Sequence, residues 1–123
     1  LNYRFGPVTV GAVFDRLDAD EVAFLNRDAW GGFATWDLRR DFTLGAQWMH
    51  ADESDAGDDE ADQYSVVGTW HAAPALNVYV AATTTVNQGS GLYRTADYAH
   101  GDRINTVPGG DPRAVSLGMA FKF

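Results

Sequence analysis

The chain has 123 residues, with 17 acidic side chains against 9 Lys and Arg, a net charge of −8 and no cysteine. That length fits one domain at most, and without cysteine there is no disulfide framework and no thiolate ligand or nucleophile. The acidic balance argues against duplex nucleic acid as a partner, because phosphate binding needs a basic face, and no stretch reaches the roughly 18 to 20 apolar residues of a membrane-spanning helix.

Taken in order, the chain shows a period of two rather than 3.6, in seven segments separated by turn signals. Residues 1–5 are strand-like and end at Gly6-Pro7. Residues 8–18 (VTVGAVFDRLD) follow, then a polar stretch at 19–27 and a third strand at 28–37 (DAWGGFATWD). The tight connection Leu38-Arg39-Arg40-Asp41 leads to 42–51 (FTLGAQWMHA), and an acidic loop fills 52–62. Residues 63–72 (QYSVVGTWHA) turn at Ala73-Pro74-Ala75 into 76–86 (LNVYVAATTTV). A long loop containing Gly and Pro, 87–112, precedes the last strand, 113–123 (RAVSLGMAFKF). The connections alternate short and long, as in outer-membrane barrels with short periplasmic turns and longer extracellular loops. Segments of about ten residues suit a tilted strand crossing the hydrocarbon layer.

Each strand has one face fit for lipid. In the last it is Val115, Leu117, Met119, Phe121 and Phe123, against Ala114, Ser116, Gly118, Ala120 and Lys122. Phe14, Trp30, Trp36, Trp48, Tyr64 and Trp70 lie near strand ends and read as girdle residues, whose rings favour the membrane interface. The opposing face carries Gly, Ala, Ser and Thr where a soluble sheet would carry Lys and Glu. On that face the alternation puts Arg4, Asp15, Gln47, His71, Asn77, Tyr79 and Lys122, the candidate pore-lining residues, together with Asp37, read as a solvated rim residue.

The expected fold is all-β, an antiparallel transmembrane β-barrel. Lipid offers no hydrogen bonds to an exposed backbone, so a spanning sheet must close on itself. Seven strands are an odd count where bacterial single-chain barrels have even ones. With no signal peptide and no initiator Met, the chain is expected to be a fragment, the C-terminal part of a larger barrel.

The chain ends Ser116-Leu117-Gly118-Met119-Ala120-Phe121-Lys122-Phe123. Ser116, Gly118, Phe121 and Phe123 fit the terminal pattern by which the barrel-assembly machinery recognises its clients. With Asp28-Ala29-Trp30-Gly31, Phe42-Thr43-Leu44-Gly45-Ala46-Gln47, Tyr64-Ser65-Val66-Val67-Gly68-Thr69 and Ala75-Leu76-Asn77-Val78-Tyr79 in that order, the chain resembles the trimeric general porins of β-proteobacterial type over nearly its whole length. The resemblance implies a 16-stranded barrel in the outer membrane, a homotrimer among lipid and lipopolysaccharide, and passive diffusion of small hydrophilic solutes and ions. It implies no cofactor. The constriction loop of such porins lies in the N-terminal half, outside these residues.

Other constellations carry less. The acidic loop Asp52-Glu53-Ser54-Asp55-Ala56-Gly57-Asp58-Asp59-Glu60-Ala61-Asp62 does not have EF-hand spacing and reads as a solvated surface loop. His50, His71 and His100 are spread over opposite ends, so no metal site is expected. No GxSxG elbow is present, and an enzyme is not expected. Gly109-Gly110-Asp111-Pro112 is a turn, not a phosphate loop, since no helix follows. The alternative to a porin is a small eight-stranded outer-membrane barrel with a structural or adhesive role. Such a narrow barrel needs bulky interlocking side chains inside, unlike the small residues here.

Overall fold

A computed structural model of the chain describes residues 1–18, 26–55, 57–95 and 106–122. Period-two alternation with β-branched and aromatic residues produces seven strands: β1 (Asn2–Phe5), β2 (Val8–Leu17), β3 (Arg27–Arg39), β4 (Phe42–Ala51), β5 (Ala61–Ala73), β6 (Leu76–Asn87) and β7 (Arg113–Phe121). They form one sheet in the order β1-β2-β3-β4-β5-β6-β7, and every neighbouring pair is antiparallel. Phe123, His100 and parts of the loops expected at 19–27 and 87–112 lie outside the described residues.

All seven expected strands are present, with shifted ends. β3 runs from Arg27 to Arg39 rather than 28–37, because a bulge between Asp37 and Arg39 absorbs the extra residues and leaves Arg40-Asp41 as the turn. β5 begins at Ala61 rather than residue 63, where Ala61 pairs with both Ala51 and Asn87. It runs on to Ala73 through a second bulge after His71. β6 gains Asn87, whereas β1 starts at Asn2, β2 ends at Leu17 and β7 ends at Phe121.

The two ends of the sheet are built differently. At one, strands join through the pairs Gly6-Pro7, Arg40-Asp41 and Pro74-Ala75. The carbonyls of Pro7, Asp41 and Ala75 accept from the backbone N–H of Asp37, His71 and Lys122 at 2.8 to 3.0 Å, so each ladder runs down to the turn. The long connections are all at the other end.

The sheet has no apolar interior of its own. Ala61 is the one buried hydrophobic residue among those described, while Val115 is 79% exposed and Leu117 76%. An apolar surface this continuous is not tolerated in water. Leu44, Val66, Val80, Met119 and Phe121 are likewise exposed.

Candidate pore-lining face

In a sheet, cross-strand partners share a face and successive residues alternate, so the register sorts the side chains. The row Val10–Ala34–Ala46–Val66–Ala82–Val115 is apolar throughout. One residue further along, Thr9–Thr35–Gly45–Val67–Ala81–Ser116 is small and partly hydroxylic, and belongs to the opposite, inner face. The register puts Arg4 beside Thr9, Asp15 beside Ala29, Gln47 beside Ser65, His71 beside Asn77, and Tyr79 beside Gly118. The six candidates Arg4, Asp15, Gln47, His71, Asn77 and Tyr79 therefore share the inner face, and Lys122, next to Phe121, joins them by alternation.

At the turn end the inner face carries a polar chain that crosses strands. Arg4 Nη2 lies 3.0 Å from Asp37 Oδ2. Thr43 donates its hydroxyl to Asp37 Oδ1 at 3.0 Å and lies 3.0 Å from His71 Nε2. His71 Nδ1 is 2.8 Å from Asn77 Oδ1. Asp37, expected as a solvated rim residue, is the hub of this chain. The pairing escaped sequence reading because Arg4 and Asp37 are 33 positions apart and β2 lies between their strands. In the middle, the Ser65 and Thr83 hydroxyls are 2.7 Å apart.

Tyr79 does not project freely. Its ring and hydroxyl lie over Gly118, filling the space a side chain there would take. This explains a glycine at the third position of the last strand's polar–x–Gly pattern: the close approach of Tyr79 requires it. Gln47 stays exposed on the inner face.

At the loop end, connections fold together. Asn87 is 6% exposed. Its amide nitrogen donates to the carbonyls of Gly110 and Tyr93, at 2.6 and 3.0 Å, and its Oδ1 accepts from Tyr93 N–H at 3.0 Å. The acidic loop, expected as a solvated loop, is pinned as well. Asp59 accepts from the Ser54 backbone and hydroxyl and lies 3.6 Å from Arg27, while Asn26 donates to Asp55. Among the described residues no group of three or more His, Cys, Asp or Glu could hold a metal ion.

The outer face carries the six expected girdle residues. Phe14 pairs with Trp30 and Trp48 with Tyr64 near the loops, whereas Trp36 and Trp70 stand near the turns. Six positions separate Trp30 from Trp36 and Tyr64 from Trp70, about 20 Å along a strand. Trp30 and Trp48 meet edge to face at 4.8 Å. Past the upper band the same face turns polar. His50 sits between Asp52 and Asp62, with a carboxylate oxygen 3.0 Å from each ring nitrogen. Trp48 donates its indole N–H to Asp62 at 2.8 Å, and Arg16 grips Asp28 through two bonds of 2.7 and 2.6 Å. None of these partnerships was expected from the sequence; the signal was available in the alternation, which puts His50 and Trp48 on one face, but the pairing with Asp62 needs the register.

A family model described as Gram-negative porin matches residues 1–123. No curated protein and no solved structure matches the chain.

Proposed function

The chain belongs to the Gram-negative porin family, a family of outer-membrane channels rather than enzymes, and on that premise we propose that its sheet is part of the wall of a water-filled channel for passive diffusion of small hydrophilic solutes and ions. The single observation that carries the proposal is the sorting of side chains by face. One face is apolar and banded by aromatics, and the other carries Arg4, Asp37, Thr43, His71, Asn77, Ser65 and Thr83 in hydrogen-bonded contact. A lipid-facing wall backed by a polar, small-residue surface is what a hydrated lumen requires. Arg4, Asp15, Gln47, His71, Asn77, Tyr79 and Lys122 are the pore-lining residues of this proposal.

The seven strands are, in the same proposal, the C-terminal sector of a single barrel of about 16 strands. In support, β1 pairs only with β2 and β7 only with β6 among the described residues, and lipid demands closure. The barrel works as a homotrimer among outer-membrane lipid and lipopolysaccharide. Ser116, Gly118, Phe121 and Phe123 form its assembly signal; β7, which carries the first three, has Ser116 and Gly118 on the inner face and Phe121 on the outer.

The test is single-channel conductance in a planar bilayer, with the full-length gene product that contains these strands. Large, stable steps in groups of three are expected. Silence from a folded, heat-modifiable barrel would overturn the channel and favour a closed barrel with a structural role.

A further inference from the structure

Three buried positions on the inner face need a cover that the sheet does not supply. Ala61 is 4% exposed, Thr85 1% and Asn87 6%, and all three lie at the loop end of a wall whose middle, at Gln47, is open. Over Asn87 the cover comes from the described part of the connection between β6 and β7. Asn87 holds the Tyr93 backbone through both its amide nitrogen and its amide oxygen. Arg27, an inner-face residue paired with Leu17, stacks its guanidinium 5.1 Å above the Tyr93 ring. Thr95 lines, with Gln47, Gln63, Ser65, Thr83 and Ser116, a cavity of about 650 Å³.

One stem of the connection is tied to the other and to its neighbour. Gly109 donates to the Gly91 carbonyl at 3.1 Å, and Ser90 donates twice to the carbonyl of Asp58 in the β4–β5 connection, at 2.7 and 3.0 Å. Gly109 adopts a positive φ of 67° and a side chain there would press on the Gly89 carbonyl, so the junction depends on glycine. The hydroxyls of Tyr93 and Thr95 are shielded and make no hydrogen bond within the described protein. Tyr93 and Thr95 are partly exposed as residues although these two oxygens are covered.

We infer that residues 88–95 fold into the lumen and form a constriction near the loop end of the channel, with Thr95 bordering the passage and Tyr93, held by Asn87 and Arg27, as its anchor. The inference rests on the porin reading. It goes beyond it by assigning a narrowing, and the residues that set its width, to the last connection of the barrel. Asn87 is a positioning residue: it touches no solute and acts by holding Tyr93.

This chain has no cysteine, so single thiols can be introduced into a cysteine-free form of the full-length protein. Thr95→Cys tests the loop and Ser65→Cys, on the wall, serves as reference. Each is treated with a trimethylammonium methanethiosulfonate during bilayer recording, and labelling is verified by mass. A fall in conductance of roughly one third or more is expected for both, because added bulk in a narrow lumen obstructs ion flow. A labelled Thr95→Cys that conducts as before, beside a blocked Ser65→Cys, overturns the constriction and leaves the channel standing. Absence of channels from the unmodified protein sinks the porin reading instead. Asn87→Ala gives a second reading that needs no labelling: release of Tyr93 should raise conductance by about a quarter or more, and unchanged conductance from a folded protein counts against the inference.

Discussion

The two faces of the sheet are made by the same seven strands and obey opposite rules. On the outer face, identity within a class matters little: Val, Leu, Ala and Met follow one another along Val80, Leu117, Ala82, Val115 and Met119. What matters is the absence of charge between the aromatic bands. On the inner face charge is allowed, but position is demanding. Arg4 must reach Asp37 and His71 must meet Thr43, and Gly118 must leave room for Tyr79. The outer face is thus defined by solvent and the inner face by contacts. Substitutions at neighbouring positions should therefore fail for different reasons.

The largest effect is expected where the outer rule is broken at mid-face. Leu117 is 76% exposed and shares its row with Val80. Leu117→Arg would place a cation in hydrocarbon, at a cost of about 2–4 kcal/mol near the bilayer midplane. Ser116→Arg, one residue away on the inner face, should leave stability nearly unchanged. Urea unfolding of the refolded full-length protein in bilayers compares the two, and equal losses would abolish the distinction between the faces.

Next is the close approach at Gly118. A methyl group there overlaps the Tyr79 ring, so Gly118→Ala should cost roughly 1–3 kcal/mol, the usual penalty of overpacking. Tyr79→Ala in the same chain should restore most of it. Failure of the second change to rescue the first would mean that Gly118 is needed for assembly recognition alone and that its packing is incidental.

A smaller effect is expected at the upper band, where the faces' rules meet. Trp48 has its ring edge to face with Trp30 and its N–H on Asp62. Trp48→Phe keeps the ring and loses the bond, which should cost about 1 kcal/mol. Trp48→Ala, which removes the aromatic body as well, should cost clearly more in the same unfolding measurement.

The outer face was legible in the sequence because its rule is local: alternation alone singles out Phe14, Trp30, Trp36, Trp48, Tyr64 and Trp70. The inner residues were also assigned to a common side by alternation. What stayed hidden depends on register and on loops. The bulge between Asp37 and Arg39 has no sequence signature here, since Leu38-Arg39-Arg40-Asp41 reads equally well as a four-residue turn. The clasp of His50 by Asp52 and Asp62 requires knowing that His50 faces Asp62, which follows from the pairing across the acidic loop. Asn87 looks like an ordinary strand end, and its bonds to Tyr93 and Gly110 span 6 and 23 positions. Local pattern carries the strands and their faces; the site's partnerships are long-range.

The smallest expected change in stability comes with the most informative functional effect. Arg4 and Asp37 form an ion pair whose side chains are 66% and 44% exposed. Solvent screens such a pair, which limits its worth to about 0–1 kcal/mol. Asp37→Asn keeps an acceptor oxygen for the Thr43 hydroxyl, so the chain through His71 and Asn77 should survive. It removes one negative charge beside Arg4 at the turn end of the inner face. If that face borders a hydrated lumen, the freed Arg4 field should favour anions there, because fixed charge lining a pore sets ion preference. The reversal potential in a salt gradient should move toward anion preference, with the permeability ratio changing by about twofold or less. The shift should shrink at high salt, where the Debye length falls below the pore radius. Asp28→Asn removes the same charge from the outer face, where it pairs with Arg16, and should leave the reversal potential unchanged. A shift of equal size from both substitutions would mean that the field acts through the mouth as a whole and that the two faces are not electrically distinct.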